Sequence, residues 1–350
     1  MNLELLAKLT EAHGVASRED QIRDIVKEEL EDLCDIKVDT MGNVICHRRP
    51  TRGGEGKKLM LAAHMDEIGF MVRYVEDSGF LRLQPVGGWD PRQMASQRVF
   101  VHTQTEKLPG VLMQSTKPKH LLSEAEAKKP PTTDDYFVDL GMKGEAVKEK
   151  VRQGDMVTMN RTLQQTGDCL TNKSMDDRVC VFAMIEAVKA AKSHEVELFA
   201  VATVQEEVGL RGAMASGYSV KPDIAVALDI TLANDIPGIS GEHHITKLGE
   251  GTAIKIMDSS LICHPKVVEH FRQIAEKEGI KHQMEILSRG GTDAGAIQRQ
   301  HGGIPAITLS IPTRYVHTVN ETVHKEDVQA TIELLARYIE QAHEGNYAYA

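Results

Sequence analysis

Four runs of apolar residues along this chain each lead to a side chain that can bind a metal ion or transfer a proton. The runs predict buried strands at 58–63, 197–204, 223–228 and 304–311. The polar residues that follow them are His64, the pair Glu206 and Glu207, Asp229 and His317. Taken singly, each has a simpler explanation, because Glu and Asp are mostly exposed surface residues. Their recurrence after successive strands favours one shared cleft.

Segments with apolar residues at helical spacing alternate with these strands. They predict helices at 17–33 with Ser17 as the N-cap, from Ser174 to about 192, at 264–278 and at 325–343. Residues 36–39 and 43–47 predict a hairpin. The alternation indicates an α/β fold with a mainly parallel sheet and helices on both faces. Sites in such sheets lie outside the carboxyl ends of the strands.

The pattern changes between residues 69 and 163. Short β-like runs separated by glycine and proline predict a small all-β barrel or sandwich there. Within it, 115–135 has the composition of a long loop. We therefore predict a discontinuous catalytic domain, 1–68 with 164–350, that is interrupted by an inserted β domain at 69–163.

Composition and charge exclude several classes of protein. No apolar run approaches the ~20 residues needed to cross a bilayer, and the N-terminus lacks the apolar core of a secretory signal. The five cysteines are scattered and form no CxxC pair, which argues against a disulfide framework and fits a reducing cytoplasm. A formal net charge of −10 argues against nucleic-acid binding, which needs basic patches.

The polar residues after the strands favour a pair of divalent metal ions. Asp176, at the start of a predicted helix, joins them. Two histidines and several carboxylates, without a thiolate, suit ions such as zinc or cobalt. Asp66 follows His64 by two residues and is placed to orient its ring. Neighbouring residues leaving a strand diverge, so one of Glu206 and Glu207 can bind metal while the other acts as a base. The same divergence argues against a glycosidase, whose two carboxylates flank one sugar bond.

These residues, together with the sequence around them, resemble the tetrahedral-assembly family of dinuclear metalloaminopeptidases. That family includes glutamyl and deblocking aminopeptidases and some proteins once labelled endoglucanases. The motifs that carry the resemblance are AAHMDEIGF at 62–70, SMDDR at 174–178, VQEEVGLRGA at 204–213, ALDIT at 227–231, GGTDAG at 290–295 and PTRYVHT at 312–318. They span nearly the whole chain in the family's order, so together they are specific although none is alone.

The resemblance implies a role for each matching residue. The metal ligands that it implies are His64, Asp176, Glu207, Asp229 and His317. Asp176 matches the ligand that bridges both metals, Glu206 the general base, and Asp66 the residue that orients His64. The ions expected are two per subunit, zinc or cobalt first and manganese as a third candidate. The sequence does not identify the substrate-binding residues.

The resemblance also implies an activity and an assembly. We expect a cytoplasmic aminopeptidase that removes N-terminal residues from short peptides with a two-metal activated water. The inserted β domain would be PDZ-like and serve dimerisation, with dimers assembling into a tetrahedral dodecamer. Two alternatives stay open: a related di-metal amidohydrolase, such as an N-acyl deacylase or carboxypeptidase, and a metal-binding protein without activity. No nucleic acid or membrane partner is expected.

Overall fold

The computed structural model describes residues 1–349, which form two compact units. Their helices are α1 (Leu3–Glu11), α2 (Asp20–Leu30), α3 (Glu124–Lys128), α4 (Gly144–Lys150), α5 (Met175–Ala190), α6 (Arg211–Val220), α7 (Pro265–Glu278), α8 (Asp293–Gln298) and α9 (Lys325–Gln341). Their strands are β1 (Asp35–Val38), β2 (Val44–Arg48), β3 (Lys58–His64), β4 (Gly69–Val75), β5 (Leu81–Val86), β6 (Gln97–His102), β7 (Lys107–Gln114), β8 (Tyr136–Asp139), β9 (Met156–Met159), β10 (Gln164–Thr166), β11 (Cys169–Asn172), β12 (Glu197–Thr203), β13 (Ile224–Leu232), β14 (Thr252–Met257), β15 (His282–Ile286), β16 (Ala306–Arg314) and β17 (Glu321–His324).

The first unit holds residues 1–66, 162–316 and those from 320 onward, and it is built on one mixed sheet. Strands β12, β3, β13 and β16 lie side by side and parallel at its centre, and antiparallel strands flank them. Apolar side chains bury β3 almost completely, as expected for a parallel strand covered on both faces. The predicted α/β class is therefore confirmed.

Helices pack against this sheet in two pairs. α5 contacts α9, β3 and β13, while α6 and α8 contact each other and the same group of central strands. α5 is buried on nearly all sides, which its apolar sequence explains. The parallel arrangement places the carboxyl ends of β3, β12 and β13 at one edge of the sheet, where His64, Glu206 and Asp229 gather.

The second unit holds residues 67–161 and 317–319 and contains a closed barrel of six antiparallel strands. Its strands follow the order β4, β5, β8, β7, β6 and β9. Alternate side chains point inward and form a separate apolar core that includes Phe70, Val99 and Val138. The predicted barrel is confirmed, but the description PDZ-like is loose because this barrel closes on itself. The sequence placed the insert at 69–163.

Three local predictions were wrong. Ser17 is not an N-cap: its φ is +70°, and the helix begins at Asp20 after Glu19. Asp229 lies inside a strand rather than after one, because pairing between β13 and β16 continues to Leu232. The segment 115–135 is not a simple loop, since it contains α3, which Ser123 caps. Within residues 1–349, no helix is long and apolar enough to cross a membrane.

Candidate metal centre

His64 ends β3 and is 2% exposed. Its Nδ1 lies 3.0 Å from the backbone carbonyl oxygen of Asp66. A carbonyl can only accept, so this contact places the proton on Nδ1 and leaves the lone pair of Nε2 for a ligand. Nε2 lies 3.1 Å from Oδ1 of Asp176 and 3.9 Å from Oε2 of Glu206. The imidazole of His64 thus faces the carboxylates of Asp176 and Glu206, both of which the sequence indicated.

Five of the predicted residues come together in two groups that share one member. The ligand atoms of His64, Asp176 and Asp229 lie within 4.8 Å of one another. Those of Asp176, Glu207 and His317 satisfy the same distance. Each group offers one imidazole nitrogen and two carboxylates, a donor set that suits zinc-like divalent ions. These residues therefore fit divalent ions, with Asp176 common to the two groups.

The start of α5 carries two acids with different partners. Asp176 donates its backbone N–H to Oε2 of Glu321 at 2.9 Å, and Glu321 is buried. Asp177 accepts the backbone N–H of His64 at 3.1 Å. The peptide bond between the two acids is cis. Asp177 and Glu321 thus hold the backbone beneath the ligands, roles that the sequence had not assigned to them.

Asp66 contacts more than the imidazole that it was predicted to orient. Its Oδ1 lies 3.4 Å from Nδ1 of His64 and accepts the N–H of Glu206 at 2.9 Å. Its Oδ2 accepts the N–H of Glu207 at 3.1 Å. One buried carboxylate therefore ties the end of β3 to the two acids beyond β12.

Burial and crowded negative charge raise the pKa values of these acids. Burial raises the pKa of Glu206 and of Asp229 well above the ordinary range; His64 opposes the rise, and neighbouring carboxylates add to it. For His64, burial lowers the pKa, but the surrounding carboxylates outweigh it and raise the value well above normal. Such a cluster favours bound cations, whose charge lets the acids ionise.

Asp293 is a further acid of this region whose place the sequence did not settle. It begins α8 in the GGTDAG segment and is 2% exposed. Thr203, the last residue of β12, donates its hydroxyl to Oδ2 of Asp293 at 2.5 Å. Burial raises the pKa of Asp293 to about 6, and His64 and Thr203 moderate the rise. Asp293 therefore does more than stand at the start of a helix, because it joins α8 to the strand that leads to Glu206.

Comparison with known proteins identifies relatives over the whole length. The chain is 39% identical to a putative aminopeptidase of Acetivibrio thermocellus, over 96% of this chain and 98% of the relative. It is 34% identical to the lysyl aminopeptidase of Pyrococcus furiosus, over 97% and 96%. The glutamyl aminopeptidase of Lactococcus lactis is 31% identical, over 91% and 90%.

Solved structures give the same result. Aminopeptidase APDkam598 from the archaeon Desulfurococcus kamchatkensis superposes with a TM-score of 0.92 at 39% identity, covering 99% of this chain and 98% of that one. Pyrococcus horikoshii TET1 peptidase, which can assemble into a tetrahedron or a large octahedral shell, gives 0.86 at 32% identity, covering 96% and 98%. A structure from Thermotoga maritima labelled endoglucanase gives 0.79 at 27% identity, covering 97% of each chain.

The family model described as M42 glutamyl aminopeptidase matches residues 42–334. That range runs from the hairpin through the β barrel to the middle of α9 and includes every predicted metal ligand. The resemblance drawn from the sequence motifs is confirmed. This chain therefore belongs to the M42 glutamyl aminopeptidase family and is a peptide hydrolase of the aminopeptidase type.

Proposed function

We propose that this aminopeptidase removes N-terminal residues from short peptides with two divalent ions and Glu206 as the general base. The observation that carries the proposal is the pair of ligand groups that share Asp176. His64, Asp176 and Asp229 would hold one ion, and Asp176, Glu207 and His317 would hold the other. Zinc and cobalt suit these donors best, and manganese is the third candidate.

The chemistry divides between the ions and the chain. When bound, divalent ions would lower the pKa of the attacking water and polarise the scissile carbonyl. Glu206 takes the proton of the attacking water and returns it to the leaving amine. Burial raises the pKa of Glu206 above the ordinary range of a glutamate, which is the direction that favours uptake of a proton. Asp66 keeps the ring of His64 and the backbone of Glu206 in fixed relation.

We propose that Arg314 does not set the residue preference of the site. Its guanidinium donates two hydrogen bonds to Asp235, each 2.7 Å long, so its charge is already neutralised. A preference for acidic N-terminal residues would therefore need another cation. The relatives include both a lysyl and a glutamyl aminopeptidase, so family membership leaves the preferred residue open.

We further propose a homo-oligomer in which barrel domains pair chains into dimers and dimers assemble into a tetrahedral dodecamer. The tetrahedral assembly of the TET1 relative supports this arrangement. Light scattering on the purified protein tests it. A mass of twelve chains supports the full assembly, and a mass of two chains leaves only the dimer.

The activity is tested with a panel of aminoacyl p-nitroanilides, each supplied free and N-acetylated. The protein is stripped of metal and then given zinc, cobalt or manganese. Metal-dependent cleavage of the free-amine compounds alone supports the proposal and reveals the preferred residue. Cleavage of the acetylated compounds would instead indicate a deacylase or endopeptidase. No cleavage with two ions bound would indicate a protein without this activity.

A further inference from the structure

Four consecutive backbone N–H groups, those of residues 204–207, all donate to buried side chains from distant parts of the chain. The pairs are Val204 with Oδ1 of Asn43 at 3.0 Å, Gln205 with Oε1 of Glu19 at 3.2 Å, Glu206 with Oδ1 of Asp66 at 2.9 Å and Glu207 with Oδ2 of Asp66 at 3.1 Å. We call Glu19, Asn43 and Asp66 the amide clamp. All three are at most 1% exposed.

The clamp holds a segment whose backbone departs from ordinary preferences. β12 ends at Thr203, and Gln205 then has a φ of +56°, in the left-handed region that non-glycine residues avoid. Glu206 follows directly, so the orientation of the Gln205 peptide sets the direction in which the Glu206 side chain leaves the backbone. A hydrogen bond to that peptide therefore acts on the position of the Glu206 carboxylate.

Glu19 supplies that hydrogen bond from just before α2. Its Oε1 also accepts the N–H of Ser17 at 2.8 Å, so a purely local role would be to close this turn. The contact with Gln205 goes beyond the turn, because it joins residues 186 positions apart. Asp66 touches His64 as well as both acids, whereas Glu19 accepts its hydrogen bond from the Gln205 amide.

We propose that Glu19 is a positioning residue for the general base: by holding the Gln205 amide, it fixes the direction of the Glu206 carboxylate. This inference rests on the proposed role of Glu206. Burial, and then the charge of Asp66, raise the pKa of Glu19 to about 7. The side chain is therefore partly protonated near neutral pH, and its acceptor oxygen rather than its full charge serves the amide.

Three variants test the proposal. Glu19→Ala removes the acceptor. Glu19→Asp keeps a carboxylate but withdraws it by about 1.5 Å, one carbon–carbon bond. Glu19→Gln keeps an acceptor oxygen at full reach. We expect kcat to fall about 10- to 100-fold in the first two, because small displacements of a reacting group are costly, with KM and bound metal unchanged. Glu19→Gln should stay within about threefold of the wild type by the same argument.

Glu11→Ala is the matched control. The carboxylate of Glu11, in α1, also accepts a distant backbone N–H, that of Leu163 at 2.9 Å, away from the site. Glu11→Ala should leave kcat within about twofold of the wild type, because Glu11 contacts no reacting group. Hydrogen exchange on the metal-free proteins adds a readout independent of turnover. The amides of 204–207 should exchange faster in Glu19→Ala than in Glu19→Gln or Glu11→Ala.

The outcomes separate this inference from the function on which it rests. Wild-type kcat in Glu19→Ala, or an equal loss in Glu11→Ala, overturns the positioning role. So does a loss in Glu19→Gln as large as that in Glu19→Ala, since the acceptor oxygen is retained. An inactive wild type overturns the proposed function instead, and unchanged exchange at 204–207 in Glu19→Ala still refutes the hold on the segment. If Glu19→Ala does not fold, the comparison of Glu19→Asp with Glu19→Gln decides.

Discussion

Replacing Glu206 by glutamine removes the proposed base with little change in shape. The side chain is 12% exposed, and its carboxylate lies 3.9 Å from Nε2 of His64. Glutamine has the same length, can occupy the same space and leaves the backbone contact with Asp66 in place. It cannot accept a proton from water. The variant therefore separates proton transfer from folding and from metal binding, since the ligand groups do not include Glu206.

The expected loss follows from the work assigned to Glu206. A positioned general base contributes about 10²- to 10⁴-fold, or roughly 3–5 kcal/mol of transition-state stabilisation. Glu206→Gln should therefore lower kcat by that factor on the best p-nitroanilide substrate, with KM changed by less than about threefold. Metal content, measured by elemental analysis of the same samples, should equal that of the wild type.

Glu197→Gln is the matched control for this experiment. Glu197 begins β12, is 21% exposed and lies 2.5 Å from Nε2 of His47, so it repeats the carboxylate–histidine pair outside the site. Its replacement should leave kcat within about twofold, since it touches no reacting atom. The assignment of Glu206 as the base is wrong if Glu206→Gln keeps more than about a tenth of wild-type kcat with its metal intact.

Three further predictions follow from the same contacts. Chelation should abolish turnover and lower the thermal unfolding midpoint, because the buried acids lose their counter-charges; unchanged turnover in chelator would contradict the metal requirement. Gly212→Ala should lower the free energy of unfolding, measured in urea, by about 1–3 kcal/mol or more, since a Cβ there would lie 2.3 Å from the carbonyl oxygen of Val204. Gly217→Ala in the same helix is the control: its Cβ meets nothing closer than 3.4 Å, so the change should be neutral or stabilising. Burial raises the pKa of Asp327 to about 6 from 3.8, so the stability that Asp327 contributes is full below about pH 4 and lost as pH rises through about 6. Relative to Asp327→Asn, the free energy of unfolding of the metal-free wild type should fall by about 3 kcal/mol over that window. Parallel curves of unfolding free energy against pH for the two proteins would refute this.

Sequence patterns predicted the ends of the central strands because burial leaves a strong local signal. The run before His64 is apolar on both faces, as a central parallel strand must be, and the following polar residues mark where burial in the sheet stops. The same logic misplaced Asp229, because a strand can continue past a buried carboxylate when its neighbour also continues. The insert at 69–163 was anticipated as β structure, but neither the order of its strands nor the closure of the barrel has a local signature.

The supports beneath the ligands could not be predicted in the same way. Glu19, Asn43 and Glu321 lie in turns, hairpins and strand starts, where Glu and Asn are ordinary surface residues. Their partners are backbone N–H groups more than a hundred positions away. Every residue except proline has a backbone N–H, so the sequence does not show which amide such a side chain will bind. These acceptors can be recognised only in the folded structure, where β2, β12 and β17 bring them to their partners.

The clamp also explains how an unfavourable local conformation persists at the site. Left-handed backbone costs roughly 1–2 kcal/mol for a non-glycine residue, and Gln205 adopts it without glycine's freedom. A typical hydrogen bond contributes about 0.5–1.5 kcal/mol, and one to a charged group about 1.5–3 kcal/mol, so the bonds that Glu19 and Asp66 accept can together offset that cost. Hydrogen bonds to residues from distant parts of the chain thus stabilise a backbone conformation at Gln205 that is locally unfavourable. In the proposed mechanism, the adjacent acids Glu206 and Glu207 serve two different tasks because distant side chains fix the peptide between strand and helix.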